Sequence, residues 1–425
     1  MSSATRLRLF QAFGVELEYM IVDADTLDVR PIADELLRDA AGTAEYVGEV
    51  ETEDVCWSNE LVAHVVELKT AEPAPALRQL AGQFSAHVAR INQLLTPRGA
   101  RLMPGGMHPW MDPARETTLW AHDYNEVYEA FDRIFGCSGH GWSNLQSAHL
   151  NLPFGDDDEF GRLHAAIRLV LPILPALAAA SPIVEGAATG LLDTRLDVYR
   201  TNCGRIGSIS GLVVPEAVFS GATYESEIFA RIYADIAPHD PEGTLRHEWL
   251  NARGAIARFE RSAIEVRVLD TQECPAADLA VIGLAAGALR SLVAERTISY
   301  AEQQTWSAER LAAILQQTIR EGERATIDDA SYLRAFGVVE ARCAAGELWR
   351  RQRQSLDEAL DLSDQSRAAL DVILDQGPLA RRVLRALGAD SGSAAPAQAR
   401  FDCEPLRAVY ARLADCLARG AVFVP

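Results

Sequence analysis

The chain has 425 residues, 48% of them hydrophobic and 24% charged, which is enough apolar material for one large domain or two ordinary ones. Its 40 Lys and Arg against 60 Asp and Glu leave a net charge of −20, which repels a phosphate backbone and argues against nucleic acid as a partner. No apolar run follows Arg6 and Arg8 as a signal peptide requires, and the most apolar stretch, Leu169–Ala180, is broken by Pro172 and Pro175 and too short to span a membrane.

In chain order, the first element predicted is a strand over Phe13–Ile21. Its alternation puts Val15, Leu17 and Tyr19 on a buried face and Glu16, Glu18 and Met20 on the other. A second strand, Val65–Thr70, buries Val66 and Leu68 and projects Glu67 and Lys69. Glu60 lies seven residues before Glu67, an odd spacing, so it joins that face only if the chain bends or is helical between them. A helix is expected over Ala76–Leu95. His108, in the Gly- and Pro-rich PGGMHPW, is expected in a tight turn, and His64 reads as a packed or surface side chain. A third strand, Ser147–Leu152, projects His149 and Asn151, and a helix follows over His164–Ala180. A fourth strand, Ala263–Leu269, projects Glu265 and Arg267 away from Ile264, Val266 and Val268. Helices over Asp278–Glu295 and Ala308–Glu321 open a helical C-terminal part, in which the segment Asp390–Ala399 reads as a loop. The composition shift near residue 285 divides the chain into a mixed part, 1–285, and a helical part, 286–425, expected to pack as one unit. Seven scattered cysteines, an odd number without a Cys-x-x-Cys spacing, fit reduced thiols in a cytoplasm, and Cys274 reads as a small buried residue.

Taken singly, each strand has the pattern of any antiparallel strand with one solvated face. Two carboxylates on one strand face nevertheless repel by roughly 0.6 kcal/mol even in bulk water at about 7 Å, which invites a cation. If the four strands share a sheet, Glu16, Glu18, Glu67, His149 and Glu265 converge into an oxygen-rich set suited to Mg²⁺ or Mn²⁺. Arg267 on the face of Glu265 suggests an anionic ligand, and Arg253, Arg258, Arg195 and Arg200 are the next candidates, since the guanidinium fork suits carboxylate and phosphate. His247 and Trp249 read either as pocket lining or as a helix end. Neither a phosphate-binding Gly-x-x-x-x-Gly-Lys loop nor a Gly-x-Gly-x-x-Gly fingerprint occurs, so a nucleotide would be held through metal ions and arginines.

The segments GVELEYMIVD, VELKT, AGQFSAHV, GGMHPW, QSAHLNLPF and AIEVRVLDTQECP resemble those of type 2 glutamate-cysteine ligases, from about Phe13 to about Leu292. The resemblance implies an α+β fold like that of glutamine synthetase, a curved antiparallel sheet covered by helices, and an ATP- and Mg²⁺-dependent ligase acting through an acyl phosphate. It implies one metal at Glu18, Glu60 and Glu67, a second at Glu16, His149 and Glu265, and Arg267 at the transferred phosphate. Asn151 would sit beside the metals, while Arg253 or Arg258 would offset transition-state charge or hold the acid, and Arg195 and Arg200 would bind substrate. The acid would be glutamate or a relative, and nothing in the chain specifies the amine.

A metal-dependent hydrolase or amidase would use a similar carboxylate and histidine cluster, and a noncatalytic metabolite-binding protein of the same fold is a third reading. The partners expected are small molecules, and a homo-oligomer is expected because exposed sheet edges in such folds are often covered by a second subunit.

Overall fold

The computed structural model describes residues 6–390 and 399–425, so most of the loop expected at Asp390–Ala399 lies outside the described residues. Twelve strands occur among them. The first six are β1 (Gly14–Asp23), β2 (Glu49–Val50), β3 (Val55–Asn59), β4 (Val65–Thr70), β5 (Ala100–Met103) and β6 (Ser147–Pro153). The others are β7 (Ile183–Val184), β8 (Ala187–Ala188), β9 (Ala255–Arg258), β10 (Ala263–Asp270), β11 (Thr326–Ile327) and β12 (Cys343–Ala344). Eight of them form one open antiparallel sheet in the order β2-β3-β4-β1-β6-β10-β9, with β5 on the far half of β1. The pairs β7–β8 and β11–β12 are separate ribbons.

One sheet face is apolar. Val15, Leu17, Tyr19 and Ile21 of β1, Val66 and Leu68 of β4 and Ile264 and Val268 of β10 are fully buried in the main core. Helices Leu80–Leu95, Asp157–Val170 and Pro275–Val293 contribute the facing side chains of that core. Helix Pro275–Val293 is long and apolar enough to cross a membrane by composition alone, but 83% of that window is buried inside the protein, as a central core helix requires. The opposite sheet face carries the polar residues, except that Met20 enters a second apolar cluster with Met103, Leu406 and Tyr410.

The expected α+β architecture is found. The four strands read from alternation are present to within two residues, and Pro275 is the first residue of its helix, the position where its missing N–H costs nothing. The helix expected over His164–Ala180 is instead three pieces: an α-helix ending at Val170, a 3₁₀ turn over Leu171–Ile173 and a short helix over Pro175–Ala178. Pro172 and Pro175 cannot donate the backbone bonds that a continuous helix needs there.

Candidate functional site

Antiparallel register brings the polar residues of six strands and their ends to one place. Glu16 lies opposite His149 on one side and Lys69 on the other, Glu18 lies opposite Glu67, and Glu265 lies opposite Asn151. His149 Nδ1 is 2.8 Å from Glu16 Oε2 and 3.8 Å from Glu265 Oε1, while its Nε2 is 3.7 Å from Glu18 Oε1. Asn151 donates to Glu16 at 2.9 Å, the Ser147 backbone N–H donates to Glu18 at 2.7 Å, and Ser58 donates to Glu67 at 2.8 Å. Two triads have their ligand atoms within 4.8 Å of one another, Glu16–His149–Glu265 and Glu18–Glu67–His149. The first is the second set expected from the sequence. The other contains His149 where Glu60 was expected, although Glu60 lines the same cavity. The bend that Glu60 requires is the β3–β4 hairpin: Ser58 pairs with Glu67, and Glu60 follows two residues after Ser58 on the same face.

The charges of these groups fit a cation. Burial raises the Glu60 carboxyl to about 8, helped by the charges of Glu18 and Glu16, and Glu67 is raised by burial and by Glu16 and Glu60. Burial also opposes ionisation of Glu16, but its hydrogen bond to His149 and the imidazolium charge outweigh it and lower that carboxyl to about 2. The same contact, with Glu18 and Glu265 adding their charges, lifts His149 to about 9 against burial. In the absence of a divalent ion the cluster thus balances itself by holding protons, the behaviour of a carboxylate set with more negative charge than it can bury. Two oxygen-rich triads sharing one imidazole fit Mg²⁺ or Mn²⁺ better than a softer ion.

The cluster forms the floor of a cavity of about 380 Å³. Arg258 Nη1 donates to Glu265 at 3.1 Å and Arg267 Nε donates to the same carboxylate at 3.0 Å. The register shifts by one residue between Val266 and Leu269, a β-bulge in the stretch that contains Arg267. Arg195 also lines the cavity, buried against Asp270. The other two arginines stand elsewhere. Arg253 is 1% exposed and closes on Glu216, Asn251 and the Ser208 carbonyl, so its charge is already neutralised in the core. Arg200 is surface-exposed and paired with Asp197 at 2.8 Å. His108 is structural, its ring nitrogens held by the Leu27 carbonyl at 2.8 Å and the Met111 N–H at 3.0 Å.

Of one wall of the cavity, sequence reading named Arg195 alone. Arg195, Tyr199 and Asn202 recur at helical spacing on helix Thr194–Asn202, and Trp142, Tyr128 and Phe131 come from other helices. Arg195 Nη2, Asn202 Oδ1 and Trp142 Nε1 are buried there without a protein partner, which leaves two donors and an acceptor for a ligand. The i, i+4, i+7 recurrence was the one available signal, since tertiary packing supplied the rest. Lys69 and Arg261 also line the cavity and continue into a neighbouring one of about 340 Å³ around Gly14 and Asn151.

Comparison with known proteins adds to this geometry. A protein of Archaeoglobus fulgidus carrying the name "Uncharacterized protein" is 33% identical over 351 residues, covering 81% of this chain and 93% of its own length. A "Putative glutamate--cysteine ligase 2" of Cupriavidus metallidurans is 30% identical over 271 residues, 61% of this chain and 62% of that one, so the similarity stops short of two thirds of that relative. Among solved structures, the glutamate–cysteine ligase of Francisella tularensis in complex with AMP superposes with a TM-score of 0.55 at 11% identity, covering 96% of this chain and 89% of that one. A bifunctional glutathione synthetase from Pasteurella multocida gives 0.52 at 14% identity, with 95% of this chain on about half (52%) of that one. Similarities this low in sequence show a shared fold alone. The sequence model of glutamate-cysteine ligase family 2 matches residues 12–400, and the chain belongs to that family.

Proposed function

We propose that the protein joins a carboxylic acid to an amine at the expense of ATP, and that the acid is glutamate or a close relative. The observation that carries this reading is the pairing, on one sheet face, of two potential metal triads with Arg258 and Arg267 in a chain of this family. Glu16, His149 and Glu265 would hold one divalent ion and Glu18, Glu60 and Glu67 another. When bound there, such ions would neutralise the ATP phosphates.

The chain's own groups have distinct tasks in this reading. Arg267 and Arg258 are clamped by Glu265, so their remaining N–H groups are pre-oriented toward charge that develops on a transferred phosphoryl group. Lys69 and Arg261 reach into the cavity around Gly14 beside Glu16 and Glu49, and these cations support nucleotide binding on that side. The free Nη2 of Arg195 and Nε1 of Trp142 would receive a carboxylate of the acid, and Asn202 Oδ1 its ammonium. An oxygen of the reacting carboxylate attacks the γ-phosphorus and the bond to ADP breaks, giving an acyl phosphate. The amine nitrogen then attacks the acyl carbon, and phosphate leaves with the electron pair.

The partners in this reading are small molecules, and seven free cysteines support a reducing, cytoplasmic setting. The test is phosphate release from ATP and Mg²⁺. Release that requires both glutamate and an amine is the expected result. Release of acid-derived product without ATP would replace the ligase with a hydrolase or transferase.

A further inference from the structure

A cavity of about 610 Å³ opens beside the acidic one and shares Tyr128, Phe131 and Trp249 with it. Tyr124, Glu126, Val127, Thr244 and His247 complete its wall. The rings are fixed by their neighbours. Phe131 packs on Trp142 and Trp249 with centroids 5.2 and 5.9 Å apart, and His247 stacks on Trp249 at 5.4 Å and 14°. Tyr128 accepts a hydrogen bond from Asn59 at 3.0 Å. The volume is that of a pocket for a small organic molecule.

Its charge differs from that of the cavity on the opposite flank. The cavity around Gly14 has Lys69 and Arg261 in its wall beside Glu16 and Glu49, whereas among the described residues no lysine or arginine lines the aromatic one. Its carboxylate is Glu126, and Glu60 stands just across the shared rings. A polyphosphate finds cationic partners on the Gly14 flank and none on the aromatic one. A second substrate arriving by the aromatic flank meets rings and negative charge, which favour an ammonium over an apolar body. A substrate that carries a carboxylate into this cavity finds no guanidinium or ammonium in its wall, and an unpaired anion is costly to desolvate.

We propose that the amine substrate is an arylalkylamine without a carboxylate, held by Phe131, Tyr128 and Trp249, rather than an α-amino acid such as cysteine. This rests on the ligase reading of the adjoining cavity. In the step assigned to it, the bound ammonium first loses one proton to solvent, the freed lone pair forms the C–N bond, the C–O bond to phosphate breaks, and the second surplus proton on nitrogen leaves with the phosphate.

The experiment uses the full-length protein with ATP, Mg²⁺ and glutamate. Hydroxylamine first serves as a small nucleophile that needs no pocket, and formation of glutamyl hydroxamate reports the ligase reading alone. Matched pairs are then compared by phosphate release: phenethylamine with phenylalanine, tyramine with tyrosine, cysteamine with cysteine. The expected result is a kcat/KM about tenfold or more higher for each decarboxylated amine, with phenethylamine above cysteamine. Val127→Arg, which places a cation in the aromatic cavity, should move each ratio toward the amino acid. Hydroxamate formation together with a preference for cysteine or any other α-amino acid over its decarboxylated partner overturns the proposal, as does hydroxamate formation with no arylalkylamine turned over. Absence of hydroxamate overturns the ligase reading itself.

Discussion

Gly106 lies outside the acidic cavity, yet replacing it with alanine should damage the site. A Cβ built on Gly106 would stand 2.5 Å from Asp270 Cγ and Oδ2 and 2.8 Å from Oδ1, distances no methyl group tolerates. Asp270 has nowhere to go. Its side chain is fully buried, accepts from Ala180 N at 2.7 Å and Ser181 Oγ at 2.8 Å, and closes an ion pair with Arg195, which is itself 2% exposed. Overpacking a filled core costs about 1–3 kcal/mol, and loosening one partner of a buried pair about 3–5 kcal/mol. Since one displacement produces both, a combined loss of roughly 3–5 kcal/mol is expected. For a chain of this length that is a fall in Tm of about 3–6 °C. Thermal unfolding by circular dichroism measures it, and steady-state kinetics should show a raised KM for the acid because Arg195 Nη2 moves with its partner. A variant melting within about 1 °C of the parent, with unchanged KM, would refute the reasoning.

Other outcomes follow from the charge arrangement. Glu16→Ala and Glu265→Ala should each abolish turnover and weaken Mn²⁺ binding measured by calorimetry while leaving the far-ultraviolet spectrum intact; unchanged turnover in both removes the metal assignment. Without divalent ions, Glu60 keeps its proton to about 8 in the folded protein but ionises near 4.5 when unfolded, so its contribution to stability is lost as pH rises through that window. Glu60→Gln should therefore raise stability at pH 8 in chelator by roughly 2 kcal/mol and flatten the slope, and a parallel slope in the variant would contradict the assignment. At acid pH the buried imidazoles dominate: burial lowers His64 and His164 to about 3 and His108 to about 4. Their unfolded forms take up protons near 6.5, so stability falls as pH drops from there toward 4, by roughly 2 kcal/mol for each at pH 5. His164→Leu should reduce that slope, as read from urea midpoints across the range. Asn202→Ala should raise the KM for the acid severalfold without a comparable change for ATP, and equal changes in both would remove it from the acid subsite.

Much of this was legible before the fold was known, for a physical reason. β1, β4, β6 and β10 alternate cleanly because one face packs into the core while the other carries the charged residues, so period-two reading found both the strands and the residues facing the cavity. β3, in contrast, reads Val-Cys-Trp-Ser with all four buried, and a short strand buried on both faces shows no alternation. Without β3 the hairpin that turns Glu60 toward Glu67 could not be seen. Arg253 looked equivalent to Arg258 five residues on, but Glu216, 37 residues away, claims it. The aromatic wall joins helix Asn125–Phe135 to Trp142 and Trp249, a meeting set by tertiary packing that no local pattern records. The bulge at Arg267 is equally silent in sequence, since one extra residue in a strand leaves its composition unchanged.

The proposed reaction turns on phosphoryl transfer to a substrate carboxylate. Glutamate labelled with ¹⁸O in its side-chain carboxylate, turned over with ATP, Mg²⁺ and an accepted amine, tests this by mass spectrometry of the released phosphate. A carboxylate that attacks the γ-phosphorus gives up one of its own oxygens when the amine displaces phosphate, so phosphate carrying one ¹⁸O is the predicted result. Phosphate that carries no label, or takes its new oxygen from ¹⁸O-water, would contradict it.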